Sequence, residues 1–320
     1  MSIPLYANER FKAAAKSAAL LGKGMRVTVI EGASGSGKSQ MARYLASALL
    51  CEAEEDKIPC GECRTCRLIA DGIHPDVILP EKDRKKVISV DAVKKLRRDA
   101  FVRPTMAKGK VYLFEHAEEL NVEGQNALLK LLEEPPAFTY FILLCASRTS
   151  LLPTVLSRAT LFTAEPLNDA DMASFLRQMA PEATSDAVAS AIRLAGGNAG
   201  RALMLLSEGN VLRQKALTYL KTAARHDEYS LYKYGAELSA DGQLDVSAFL
   251  FILKELLSLS ARDAAGLGYS GEDTVPSFGK EKAYALLEAL NGIMLWPEAN
   301  LSATAIFTGM GASFSAILNK

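Results

Sequence analysis

The sequence carries no net charge, because 37 Lys and Arg residues balance 37 Asp and Glu residues over 320 positions. Without a basic excess, any contact with DNA or RNA would have to come from a local patch or from partner subunits. Long apolar runs are also missing, since stretches such as 141–146 and 249–253 are too short to span a membrane. The first residues, MSIPLYANERFK, lack a basic segment followed by an apolar run. We therefore expect neither a secretory signal nor a membrane segment.

Cysteine is scarce, and four of the five cysteines fall in one run, CEAEEDKIPCGECRTC. We expect a cytoplasmic protein, in which clustered thiols more often bind metal than form disulfides. Four thiolates suffice for a closed tetrahedral zinc site, which would hold a small module together without activating water. A redox pair or two disulfides is the alternative. The predicted zinc ligands are Cys51, Cys60, Cys63 and Cys66.

The strongest motif is RVTVIEGASGSGKS at 26–39, an apolar run that breaks into a glycine-rich turn. It matches the phosphate-loop pattern G-x-x-x-x-G-K-S. Glycines let backbone N–H groups point at phosphate oxygens, and the following helix N-terminus adds its positive dipole end. Lys38 would reach the outer phosphates and Ser39 would hold Mg²⁺; a turn that binds nothing is the alternative. The predicted nucleotide-binding residues here are Gly32, Ser34, Gly35, Ser36, Gly37, Lys38 and Ser39.

A second predicted strand, Lys110–Phe114, ends in Glu115-His116. Phosphate-loop ATPases usually have Asp here to support Mg²⁺, often followed by a Glu that positions the attacking water. His116 is not that carboxylate, and Glu115 would reach the metal only through water. We therefore predict that nucleotide binding survives without hydrolysis.

Strand and helix patterns alternate up to about residue 165, and only helical patterns follow. The predicted domains are an α/β domain over 1–165 with a zinc module at about 51–66, a small helical domain over 166–208, and a helical bundle over 209–320. Pro166 marks the first boundary. No internal repeat or low-complexity tract is present.

Several segments, in this order, resemble one known family: GASGSGKS, the four-cysteine insertion, AEELNVEGQNALLKLLEEPP, FILLCASRTSLLPTVLSRAT and AGGNAGRALML. They resemble the clamp-loader branch of the AAA+ ATPases, and within it the bacterial DNA polymerase III delta-prime subunits. The resemblance covers nearly the whole chain and is most specific over 26–204. It implies a RecA-like α/β domain with a zinc module, an all-α lid, and an all-α C-terminal collar that builds a five-subunit ring.

The resemblance also assigns roles to single residues. Arg158 in Ser157-Arg158 resembles the arginine finger that one subunit offers to its neighbour's ATP site, and Arg201 resembles the lid arginine that senses nucleotide. Ser147 falls near the family's polar residue at the tip of the fourth predicted strand, Thr139–Cys145. Ser-Arg-Ala replaces the usual Ser-Arg-Cys, which should leave the arginine's role intact because the third residue carries no charge.

The function that the resemblance implies is that of a stator in the clamp loader. Its partners would be the gamma/tau and delta subunits and, through the complex, the sliding clamp and primed DNA. Its own phosphate loop would bind ATP or ADP with Mg²⁺, or would bind no nucleotide of use to the protein. The alternative is an autonomous AAA+ motor, either gamma/tau-like or a DNA-remodelling ATPase such as a Holliday-junction motor. A small-molecule kinase lacks a recognisable acceptor site.

Overall fold

A computed structural model describes residues 5–21, 24–81, 88–207, 209–242, 244–266, 275–296 and 301–319. The chain divides into two compact units. The first comprises Met1–Met179 with Gly196–Gly200, and the second comprises Ala180–Ala195 with Arg201–Lys320. The finer division into three domains stays a prediction.

The first unit is built on a five-stranded sheet in the order β2-β3-β4-β1-β5, in which every neighbouring pair is parallel. The interior strands β1, β3 and β4 are buried almost throughout, as expected of a parallel sheet that is covered on both faces. The strands are β1 (Val27–Glu31), β2 (Val77–Ile78), β3 (Lys110–Phe114), β4 (Thr139–Cys145) and β5 (Thr160–Thr163).

Some helices of this unit begin at a capping side chain. Ser89 accepts a hydrogen bond from the Ala92 N–H at the start of α4, and Asn121 accepts one from the Gly124 N–H at the start of α5. α5 ends before Pro135-Pro136, because a proline disfavours the helical conformation of the residue before it. The helices are α1 (Glu9–Leu21), α2 (Lys38–Leu50), α3 (Arg64–Ala70), α4 (Val90–Ala100), α5 (Val122–Glu133), α6 (Pro153–Leu156) and α7 (Asp169–Met179).

β5 is a strand that the sequence analysis did not predict. Its residues pair in register with β1, from Thr28 opposite Thr160 to Glu31 opposite Thr163. β5 lies at the sheet edge and is largely exposed, so it lacks the buried apolar pattern that identified the interior strands. It begins two residues after Arg158 and fixes the backbone that follows that arginine.

The second unit is entirely helical in its described part. Its core contains large aromatic side chains, with the Tyr219 ring packed edge-on against Phe249 and Phe314. No strand follows residue 163 among the described residues, which confirms the prediction of a helical second half. None of the described helices is both long and apolar enough to cross a membrane. The helices are α8 (Ser185–Ala195), α9 (Ala199–Ser207), α10 (Gly209–Ala223), α11 (Glu228–Ala240), α12 (Val246–Ala264), α13 (Lys280–Ile293) and α14 (Ala303–Leu318).

The buried Asp76 ties the chain before β2 to the loop before β3. Its carboxylate accepts hydrogen bonds from the backbone N–H groups of Thr105 at 2.6 Å and of Met106 and Ala107 at 2.8 Å. Burial alone would raise the pKa of Asp76, but these three donors hold that pKa below its usual value. The ionised carboxylate is therefore the form that stabilises the fold.

We expect Asp76→Asn to lower the free energy of unfolding of the first unit by about 2–3 kcal/mol at pH 7, because an amide is a weaker acceptor and leaves a backbone donor poorly paired. The extra stability that ionised Asp76 gives the wild type over Asp76→Asn is fully present above the unfolded-state pKa of Asp76, about 3.9. This stability is lost as the pH falls through the lower pKa that Asp76 has in the folded state. Urea denaturation at pH 7 and near pH 3 measures this, with the exposed Asp71→Asn as control. Equal urea midpoints for Asp76→Asn and wild type at pH 7 would contradict the assignment.

Candidate functional site

The phosphate-loop motif lies between β1 and α2, at the carboxyl edge of the sheet, as predicted. Gly35 has φ of 76° and Gly37 has φ of 91°, conformations that favour glycine. α2 begins directly after Gly37, so its unpaired N–H groups continue the loop. The Ser36 hydroxyl is buried and has no hydrogen-bond partner among the described residues. A glycine backbone, a helix N-terminus and an unpaired hydroxyl fit a nucleotide phosphate.

Lys38 is folded over this loop. Its Nζ donates to the Gly32 carbonyl and, at 3.0 Å, to the Ala33 carbonyl. Burial lowers the pKa of Lys38, and the negative charge of Glu118 opposes that shift. Because an anionic phosphate oxygen is a stronger acceptor than a carbonyl, the ammonium is well placed to exchange one for the other.

The charge of Glu118, a residue not predicted from the sequence, opposes the lowering of the Lys38 pKa by burial. Glu115 and His116 form the turn that follows β3, and His116 is exposed. His116 Nδ1 lies 3.5 Å from Glu118 Oε1. The acidic run FEHAEE was the available signal, and the turn and the short helix after β3 place Glu118 within it.

An ion pair joins the tip of β4 to the residue before the loop. The Arg148 guanidinium donates to Glu31 Oε2 through Nε at 2.8 Å and Nη2 at 2.5 Å, and Nη2 also reaches Thr163 Oγ1 at 3.2 Å. These bonds lower the pKa of Glu31. Ser147 caps the following turn by accepting from the Thr149 N–H. Ser147 is the polar residue predicted at this tip, whereas Arg148 is the residue bound to Glu31.

The turn at 196–200 packs against the phosphate loop. Asn198 Nδ2 donates to the Ser34 carbonyl at 2.8 Å, and the Gly200 N–H donates to the Gly35 carbonyl at 2.9 Å. A Cβ on Gly200 would lie 2.6 Å from the Gly35 Cα, so only glycine fits. Both bonds end on loop carbonyls and do not compete with a phosphate, which binds loop N–H groups.

Arg201 follows this turn but belongs to the second unit. Its guanidinium carbon lies 4.1 Å from the centroid of the Phe251 ring on α12. Burial lowers the pKa of Arg201, and the carboxylate of Glu255 opposes that shift. Its role as a nucleotide sensor stays a prediction.

The four clustered cysteines form a site with the dimensions of a zinc centre. Their four Sγ atoms all lie within 4.8 Å of one another, and Cys51 and Cys60 are 3.6 Å apart. Tetrahedral coordination with Zn–S bonds of about 2.3 Å requires sulfur separations of about 3.8 Å. All of the cysteines are free thiols in this structure. The donor set and its spacing fit Zn²⁺, and Cys63 and Cys66 complete it.

Backbone N–H groups prepare this cluster for metal by stabilising thiolates. Cys60 Sγ accepts from the N–H groups of Glu62 at 3.4 Å and Cys63 at 3.3 Å. Burial opposes ionisation, yet these donors lower the pKa of Cys60 to about 7. Burial raises the pKa of Cys66, so a cation would be required to hold that deeper sulfur as a thiolate.

Arg158 lies just beyond α6, with one third of its side chain exposed. Its Nη1 donates to the Thr154 carbonyl at 2.7 Å and to Ser157 Oγ at 3.2 Å. Its Nη2 donates to Glu133 Oε1 at 2.6 Å, at the end of α5. The predicted finger is therefore a surface arginine with an acidic partner in its own chain, a partner that the sequence analysis did not identify.

A family described as "DNA polymerase III, delta subunit" matches residues 8–168, half of the chain. The chain belongs to this family. The DNA polymerase III subunit delta-prime of Pseudomonas aeruginosa is 36% identical over 191 residues, and that of Escherichia coli is 34% identical over the same length. Each alignment covers 59% of this chain and 57% of the relative. A DNA polymerase III subunit gamma from Buchnera aphidicola is 30% identical over 206 residues, which are 63% of this chain and 56% of that one.

The fold of this delta-family chain is also similar to a solved structure. A DNA polymerase III gamma subunit-related protein from Thermotoga maritima superposes with a TM-score of 0.50 at 15% identity, covering 95% of this chain and 99% of that one. At this identity the likeness concerns the fold alone. It agrees with the predicted α/β domain followed by helices.

Proposed function

We propose that this protein is a clamp-loader subunit of the delta-prime type, acting as a stator in the cytoplasm. In this proposal it assembles with gamma/tau and delta subunits into a five-subunit ring. The ring uses ATP to place a sliding clamp on primed DNA, which this subunit contacts through the complex. Family membership supports the proposal, as does the delta-prime naming of two relatives.

The observation that carries the stator role is the contrast between two positions. Residue 116, where a hydrolysing ATPase has its catalytic carboxylate, is an exposed histidine. Arg158, in contrast, is a surface guanidinium, one third exposed, whose hydrogen bonds within its own chain use three of its five N–H donors. His116 therefore argues against ATP hydrolysis at the chain's own phosphate loop, whereas Arg158 supports a role in hydrolysis at another subunit's ATP site.

In the proposed mechanism, Arg158 stabilises the charge that develops on a neighbour's γ-phosphate. Within this chain, Lys38 and the loop N–H groups would hold phosphate oxygens, Ser39 would hold Mg²⁺, and Arg201 would sense the nucleotide. ATP or ADP with Mg²⁺ supplies the phosphates when it is bound. The predicted zinc is structural, because a closed set of four thiolates leaves no position for a substrate.

Mixing the purified protein with gamma/tau and delta subunits tests this function. We expect a defined five-subunit complex by light scattering and native mass spectrometry, and ATP-dependent clamp loading that requires this chain. Failure to join any complex with these partners would overturn the proposal.

The intact phosphate loop and the gamma relative favour a second candidate, an autonomous AAA+ motor. Steady-state ATP hydrolysis by the isolated chain separates the two. We expect turnover at background level for both the wild type and Lys38→Ala. Turnover well above background that Lys38→Ala abolishes would favour the motor and contradict the stator.

A further inference from the structure

The feature that the proposed function leaves unexplained is the ion pair between Arg158 and Glu133. Glu133 is the last residue of α5 and accepts from Arg158 Nη2 at 2.6 Å. An acidic side chain at a helix C-terminus faces the negative end of the helix dipole, which is unfavourable unless a cation compensates it. Arg158 is that cation, so the two groups neutralise each other within one chain.

The pair does not exhaust the guanidinium. Arginine has five N–H donors, and the bonds to Thr154, Ser157 and Glu133 use three of them. Within the described part of the chain, these bonds leave Nε–H and one N–H of Nη2 for a further acceptor. A phosphate can therefore begin to bind before the bond to Glu133 is broken.

The pair is also weak enough to exchange. Glu133 is 46% exposed and Arg158 is 33% exposed. Ion pairs at such positions contribute about 0.2–1 kcal/mol, because water screens them. A phosphate carries more charge than one carboxylate and offers several acceptor oxygens, so it competes effectively for the same guanidinium.

We propose that Glu133 is the resting partner of Arg158 and competes with the neighbouring subunit's nucleotide for its guanidinium. This inference rests on the proposed role of Arg158 as an arginine finger. Glu133 is then a positioning residue that keeps the finger neutral and in place before assembly. The ion pair with Glu133 also sets the free energy that the neighbouring subunit's nucleotide must supply to bind the Arg158 guanidinium.

Glu133→Gln tests the competition, because it keeps the side-chain size and removes the charge. In the reconstituted complex we expect the variant to bind a non-hydrolysable ATP analogue about 1.4- to 5-fold more tightly, the factor that corresponds to an exposed ion pair. Its kcat for ATP should stay within about twofold of wild type. Glu134→Gln is the matched control, since Glu134 is the adjacent exposed glutamate and lies outside the ion pair.

Combining Glu133→Gln with Arg158→Ala shows whether the change in analogue affinity depends on the Arg158 guanidinium. In the Arg158→Ala background, Glu133→Gln should leave analogue affinity unchanged. Zinc content and melting temperature confirm that each variant is folded. Unchanged or weaker analogue binding by Glu133→Gln, while Arg158→Ala still impairs hydrolysis, would overturn the competition and leave the finger intact. Full hydrolysis by Arg158→Ala would instead overturn the finger, and the inference with it.

Discussion

Replacing Arg158 by alanine should slow ATP hydrolysis at the neighbouring site by about 10³-fold or more, the effect typical of a trans-acting arginine. The guanidinium is exposed beyond α6, so its removal leaves the buried core of the first unit unchanged. We therefore expect normal assembly, zinc content and folding, and a lower rate of the ATP hydrolysis step alone. Single-turnover hydrolysis in the reconstituted complex measures it, because steady-state rates include the other ATP sites.

Two further variants sharpen this experiment. Arg158→Lys keeps the charge but loses the planar fork, and we expect it to recover only a small part of the rate. Arg177→Ala removes another exposed arginine, on α7, and should hydrolyse ATP as the wild type does. A wild-type single-turnover rate for Arg158→Ala would remove the finger assignment.

Replacing Cys66 by serine should abolish zinc binding and unfold the module around it. We expect about one zinc per wild-type chain and less than about 0.1 per variant chain, because the hydroxyl is a poor substitute for a thiolate. The melting temperature should fall by at least about 10 °C, since structural zinc contributes folding free energy directly. Cys51 follows α2 and Cys66 lies in α3, and both pack in the core of the first unit, so the damage should spread to these helices.

Cys145→Ala is the matched control for this variant. It removes a buried thiol at the end of β4, outside the cluster. It should retain about one zinc and lose only the stability expected from a small cavity. Metal analysis and limited proteolysis across 51–66 report the two outcomes. A wild-type protein that is fully folded without metal would contradict the zinc assignment.

The local features of this chain were predictable, because their signals lie within a few residues. The position of the phosphate-loop motif and the clustering of the cysteines follow from spacing and backbone chemistry, and the structure places the motif between β1 and α2 and brings the four sulfur atoms together. β5 was not predictable in the same way. Its exposed residues adopt a strand because β1 offers a free edge, which is a tertiary effect.

The contacts that sequence reasoning missed join residues far apart in the chain. Glu31 and Arg148 are separated by 117 positions, and Glu133 and Arg158 by 25. A charged residue in a sequence is most simply interpreted as solvated, and only the packed sheet and helix ends show which charges meet. The same holds for Asp76, whose three backbone partners carry no side-chain signal.

The pairing of β5 with β1 has a mechanical consequence. β1 runs directly into the chain's own phosphate loop, while β5 starts two residues after Arg158, the proposed arginine finger. The hydrogen-bonded β1–β5 ladder therefore joins the strand before the phosphate loop to the strand that follows Arg158. A displacement of β1 that β5 followed would also move the backbone next to Arg158, so nucleotide bound at the loop would affect the proposed finger without being hydrolysed.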